Sequence, residues 1–236
     1  MFELSHRNYA SLFLNGAALF ILAGMIANTA IYRKRGRRDD KIFFLMLLVD
    51  VCIGLCDIVV ALVNGRSFSG AKLINTVAYT GMYIFVALLT YLIPLCLIYR
   101  FTLREELYRL MRNVLLVPLI VIIAMYLVGV PNGYFLGVDD ENEYYYAKLY
   151  ILPLMIILGL ALVSFAIPVF VKIKYKRLKH TYILLYLIPF AGTVMPYVFD
   201  VAADIAVVFS VILAYIHMSA MNEEFFDIKD GVEVTK

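Results

Sequence analysis

The chain has 236 residues, of which 64% are hydrophobic and 17% charged, with a net charge of +3. A soluble domain of this size is roughly half apolar and about a quarter charged, so these proportions exclude a soluble globular enzyme, a disordered chain and a disulfide scaffold. What they leave is an all-α polytopic membrane protein, in which apolar side chains face lipid as well as a core.

The runs divide into seven predicted spans, each near the roughly 20 apolar residues a helical crossing needs. Span one covers Tyr9 to Tyr32 and ends at a basic stretch, Arg33 to Lys41. Span two covers Ile42 to Val63 and closes at Asn64-Gly65, a turn dipeptide. Span three covers Leu73 to Tyr99, and span four, the shortest, covers Val114 to Val130 before Pro131-Asn132-Gly133. Span five covers Leu149 to Val171, span six Thr181 to Phe199 and span seven Val201 to Ala220. Only Asp200 to Asp204 separates the last two, and one long bent helix is the alternative. No strand-period alternation of the kind a membrane barrel needs is visible.

Orientation follows from the bases. The loops after spans one, three and five hold fifteen Lys and Arg, and the opposite face holds four, Arg7, Arg66, Lys72 and Lys148. Basic loops stay on the cytoplasmic side, which sets the N-terminus outside and the C-terminus inside, in a plasma membrane. Bases clustered between apolar runs suit orientation rather than nucleic-acid binding. Cys52, Cys56 and Cys96 lie inside apolar runs, so no disulfide is expected. Met1 to Asn8 lacks a basic n-region, so span one is read as retained.

Ionisable residues at membrane depth are the main functional clue. Asp50 and Asp57 lie seven residues apart on one face of span two, and no Lys or Arg lies within any span to pair with them. An unpaired carboxylate there is costly, so each must be protonated, hydrogen-bonded or hydrated. They either form a ligand or cation pocket or act as neutral acids that knit helices together. Asn15 matches Asp57 in depth across the short first loop, and Asn28 nearly matches Asp50, so these are the expected partners. Asp200 and Asp204 add acids at the outer end of the last two spans.

Span three carries Tyr79, Tyr83 and Tyr91 with Asn75, Thr76, Thr80 and Thr90. A polar stripe of this kind faces protein or water, and it is a candidate lining for a cavity shared with Asp57. Tyr144, Tyr145 and Tyr146 precede span five where an interfacial aromatic belt is expected, with ligand stacking as the alternative. Gly16, Ala23, Ala27 and Ala30 follow helical spacing on span one, for packing within the subunit or for dimerisation. No histidine pair has metal-ligand spacing, and no HExxH, GxSxG or phosphate-binding glycine loop occurs, so neither a catalytic centre, a metal nor a cofactor is expected.

From Ile212, the residues Ile212, Tyr215, Ser219, Asn222 and Phe226 alternate three- and four-residue steps, the spacing of a coiled-coil seam. No Gly or Pro interrupts it before Gly231, so a continuous helix into the cytoplasm is expected; a frayed helical end is the plainer alternative.

Three stretches carry a family likeness: RKRGRRDDKIFFLMLLVDVCIGLCDIVVALVNG, YLIPLCLIYRF, and LIPFAGTVMPYVFD with VAADIAVVFSVILAYIHMSAMNEEFFD. Together they resemble the multi-pass N-terminal sensor region of bacterial receptors that precedes a diguanylate cyclase, a cyclic-dinucleotide phosphodiesterase or a histidine kinase. The resemblance implies a seven-helix sensor over residues 1–220 and a cytoplasmic helical linker over 221–236, with the output domain absent. It implies a small-molecule or lipid ligand, a cytoplasmic signalling domain as partner and a homodimer. The competing reading is a small transporter or proton-coupled carrier that uses Asp50 and Asp57. No internal repeat supports that reading, since Pro94 and Pro196 sit at unequal depths.

Overall fold

The computed structural model describes residues 6–32, 38–102, 105–170, 207 and 209–214. Its order is α1 (His6–Tyr32), α2 (Arg38–Val63), α3 (Ala71–Thr102), α4 (Glu105–Gly129), β1 (Leu136–Val138), β2 (Tyr144–Tyr146) and α5 (Ile151–Phe170). Residues 209–214 are also helical. Among the described residues, four helices are long and apolar enough to cross a membrane: Asn8–Ile31, Lys41–Val63, Ala71–Cys96 and Glu105–Gly129. The protein is therefore a predominantly helical membrane protein. Span six, and span seven outside 207 and 209–214, fall beyond the described residues.

At 32 residues, α3 is about 48 Å long, well over the roughly 30 Å of a hydrocarbon core. It is the central helix, packed against α2, α4, α5 and β1. That position explains its burial: Tyr79, Met82, Tyr83, Val86, Ala87 and Leu89 are all enclosed. By contrast α1 packs mainly on α2 among the described residues, through one stripe. Asn15, Ala18, Leu22, Met25 and Thr29 are buried at three- and four-residue steps, while Phe13 and Phe20 face outward. Gly16, Ala23, Ala27 and Ala30 lie on the exposed side of α1, away from that contact.

Two sequence expectations need correction. Span four begins as a helix at Glu105 rather than Val114. Its first turns, EELYRLMRN, are made of good helix formers, with Glu105 and Glu106 at the positive end of the helix dipole. They are helical without being apolar, which hydropathy alone does not register. The helix ends as a Schellman motif at the expected turn: Tyr134 N–H donates to Gly129 O (2.8 Å) and Gly133 N–H to Val130 O (3.1 Å). Gly133 takes φ 68°, a left-handed conformation that a side chain disfavours.

The second concerns the connection before span five, where two short strands are added to an otherwise helical fold. The segment between α4 and α5 is an antiparallel hairpin, with Leu136 opposite Tyr146, Gly137 opposite Tyr145 and Val138 opposite Tyr144. Phe, Val and three consecutive Tyr favour extended chain. Its tip closes around Asp139, whose carbonyl accepts from Asn142 N–H (3.2 Å) and whose carboxylate accepts from Glu143 N–H (2.8 Å). Asn142 sits at φ 62°, which asparagine tolerates better than most residues.

Candidate functional site

Two polar centres stand out, one in the middle of α2 and one at the end of the bundle that carries the hairpin.

Asp50 lies near mid-span. At 1.5 Å per residue it is about 14 Å from Lys41 and about 20 Å from Val63 along α2. Its side chain is fully enclosed, at 0% exposure. Ser210, itself buried, donates its hydroxyl to Asp50 Oδ2 at 2.8 Å. Asp50 Oδ1 has no hydrogen-bond partner among the described residues. The bond joins α2 to the helical segment 209–214, in which Phe209, Ile212 and Leu213 are also buried. A carboxyl held in this way ties two distant parts of the chain together at a depth where water does not compete for the bond.

The expected partners of the two acids are different from those found. The amide of Asn15 turns back on its own helix, donating to Ser11 O (3.1 Å) and Ser11 Oγ (3.2 Å) rather than to Asp57. Asn15 Oδ1 is buried without a hydrogen-bond partner among the described residues. Depth matching was right about the helix pair and wrong about the contact, because a serine one turn away is nearer than the neighbouring helix. Asp50 likewise bonds Ser210 and not Asn28. Asp57, two turns further along α2, is half-buried.

The polar stripe of α3 also resolves into local bonds. The hydroxyls of Thr76, Thr80 and Thr90 donate to the carbonyls of Lys72, Thr76 and Val86, each four residues back, at 2.7–2.8 Å. A hydroxyl satisfied by its own helix does not need a cavity.

Asn75 behaves differently, and it leads to the second centre. It is fully buried, and its Nδ2 donates to Asn64 Oδ1 (3.1 Å), Asn142 O (3.1 Å) and Asn142 Oδ1 (3.2 Å). Asn142 Nδ2 donates to Val63 O (2.6 Å) and Arg66 O (3.1 Å), and its carbonyl accepts from Gly65 N–H (2.9 Å). The hairpin tip is thus inserted into the α2–α3 turn. Although four acids surround it in the sequence, Asn142 is only 4% exposed. At about 0.5–1.5 kcal/mol net for each bond, this one residue anchors the hairpin by several kcal/mol. Outside it, Lys72 Nζ pairs with Asp140 Oδ1 at 2.8 Å, fully in solvent, a contact of small worth.

Beneath the hairpin lies a layer of tyrosines. Tyr79 meets Tyr144 at 5.0 Å between ring centroids, and Tyr83 stacks on Tyr126 at 5.2 Å. Tyr146 meets Tyr150 at 4.8 Å and Tyr144 at 5.6 Å, and Tyr83 meets Tyr150 at 6.2 Å. Tyr144 and Tyr146 therefore pack on neighbouring rings and fasten the hairpin, while Tyr145 and Tyr146 keep outward-facing surface, 44% and 43% exposed. The same packing fills Tyr79 and Tyr83 with aromatic neighbours. Tyr126 is fully enclosed, and its hydroxyl has no hydrogen-bond partner among the described residues.

Of the remaining candidates, Ile212 is described and buried. Asp200, Asp204, Tyr215, Ser219, Asn222 and Phe226 lie outside the described residues, as does the basic stretch 33–37. Sequence reading missed Ser210 and Asn142. A serine in an apolar run was the available signal for the first; an asparagine among four acids, with no other polar neighbour of its kind, was the signal for the second. Comparison with family profiles, with curated proteins and with solved structures found no match.

Proposed function

We propose that the protein is a membrane-embedded receptor module of seven spans, with its N-terminus outside and its C-terminus in the cytoplasm. A small-molecule or lipid ligand shifts the packing of the helices, and span seven passes the shift to a cytoplasmic signalling domain of cyclase, phosphodiesterase or histidine kinase type, in a homodimer. The observation that carries this reading is the buried bond between Ser210 and Asp50. It links the middle of α2 to a helical segment two residues before Ile212, where the coiled-coil spacing begins. Fifteen bases on one face against four on the other support the orientation, which makes the hairpin end external.

The test is a fusion of residues 1–236 to a dimer-dependent reporter kinase, with one to four residues inserted after Met221. Each insertion turns the helix by about 100°, so basal output should rise and fall with the number inserted. Output that stays flat across the series would reject a transmitting helix.

A proton-coupled carrier is the second reading, favoured by one fact: a carboxyl at mid-span is where alternating access needs an exchangeable proton. Uptake of a substrate driven by a pH gradient, and lost in Asp50→Asn, would favour the carrier over the receptor.

A further inference from the structure

We propose that the hairpin is a releasable external switch: Asn142 fastens it to the C-terminal end of α2, and α2 carries its release through Asp50 to Ser210. The inference rests on the receptor reading and names the element that would start its signal.

The fastening converges on one residue. Val63 ends α2, and its carbonyl, beyond the reach of the helix ladder, accepts from Arg66 N–H (3.1 Å) in the following turn with a lone pair left over. Asn142 Nδ2 reaches that carbonyl at 2.6 Å from 79 residues away, so the hairpin tip caps α2. Arg66 O, Gly65 N–H and Asn75 Nδ2 complete the same socket. The strands themselves are three residues each and pair with one another. Apart from Asn142, the hairpin is held by the buried side chains of Leu136 and Val138, by ring contact with the tyrosine layer and by the solvent-exposed pair of Lys72 and Asp140, so the tip is where its polar fastening is concentrated.

The closed arrangement also carries unfavourable features that opening relieves. Asn75 Oδ1 and the Tyr126 hydroxyl are buried without hydrogen-bond partners among the described residues. Turning the Asn75 amide over would not help, because the atoms facing its Nδ2 are all acceptors. Hydration on opening satisfies both groups. Asp139, Asp140, Glu141 and Glu143 crowd four carboxylates into five residues at the tip, and their repulsion acts in the same direction. A tip whose polar bonds converge on one socket, with orphaned groups beneath it and a strand anchored in the core behind it, can leave the socket as a unit while β1 stays seated, which is what a switch requires.

The path inward is a single helix. From Val63 back to Asp50 is 13 residues without a proline, about 20 Å of rigid α2. A shift of the α2 end on release of the tip therefore moves Asp50 against Ser210.

Hydrogen–deuterium exchange on the full chain in phosphatidylcholine nanodiscs tests the coupling without a ligand or an output domain. Asn142→Gly keeps the left-handed backbone and removes the side-chain bonds. It should speed exchange at least tenfold in 136–147 and also speed it in the peptide holding 209–214. Coupling is reciprocal, so Ser210→Ala should speed exchange in 136–147 as well. The double variant should show less than the product of the two single effects at both places. Faster exchange in the hairpin alone, with 209–214 unmoved, would overturn transmission, and an unmoved hairpin would overturn the fastening. Should Asn142→Gly fail to fold, the effect of Ser210→Ala on the hairpin decides the matter from the other end. The proposal can fail here while the fused reporter still responds to insertions, so the two readings are separable.

Discussion

Replacing Ser210 with Ala removes one oxygen and adds nothing, so its cost can be worked from Asp50 alone. The interhelical hydrogen bond itself is worth about 0.6 kcal/mol on average in a bilayer, and at most roughly 1.7. Asp50 raises that figure, because its other oxygen already has no hydrogen-bond partner among the described residues and its side chain is fully enclosed. Losing Ser210 leaves the whole carboxyl unsatisfied, which costs about 1–3 kcal/mol. The variant should therefore unfold about 1–3 kcal/mol more easily, measured by reversible unfolding in bicelles. Asp50→Asn keeps an acceptor for the Ser210 hydroxyl and should cost less. In a cycle of Ser210→Ala, Asp50→Ala and the double variant, the two changes should fall short of additivity by about 1 kcal/mol. Costs that add to within about 0.5 kcal/mol would show that the two side chains do not interact, and would refute the reasoning.

Further expectations follow from single contacts. A methyl placed on Gly129 would overlap the Phe135 ring, so Gly129→Ala should destabilise by about 1–3 kcal/mol, and Phe135→Leu should recover part of it in a thermal-unfolding assay. Lys72 holds the Asp140 carboxyl below its usual range, by its hydrogen bond and then its charge. A group lowered on folding stabilises above its unfolded pKa of about 3.9, and the effect is lost as pH falls through the folded value. The protection that the parent hairpin has over Lys72→Met, with exchange corrected for its intrinsic pH dependence, should therefore be present at neutral pH and shrink in acid. Glu141→Cys should react with an impermeant maleimide on intact cells and Arg37→Cys should not; the reverse pattern would invert the topology. Glu141 is exposed, which Asn142 is not, so it is the proper external site.

Hydropathy located the four long helices because each is a continuous apolar run, and Asn64-Gly65 and Pro131-Asn132-Gly133 marked their ends by turn chemistry. It missed the start of α4, where helix propensity and polarity part company. The hairpin was hidden for a related reason: three-residue strands are too short to show alternation. Asp50 was legible because a carboxylate at mid-span is rare. Its partner was not, because a lone serine among valines and phenylalanine carries no charge or spacing that sets it apart. Nor does order along the chain predict that residue 210 lies beside residue 50. Nothing in the sequence points Asn142 away from the acids around it, and only the fold brings it to Asn64 and Asn75, which sit 78 and 67 residues earlier.

The most direct test of the account is the basal output of the fused reporter kinase with Ser210→Ala, at matched protein level in the membrane. A receptor that signals through the bond between α2 and the segment leading to Ile212 should show basal output changed severalfold, with Asp50→Ala changing it in the same direction and the double variant going no further. Output equal to that of the parent chain, from a variant folded and inserted, would contradict the claim that this bond carries the signal.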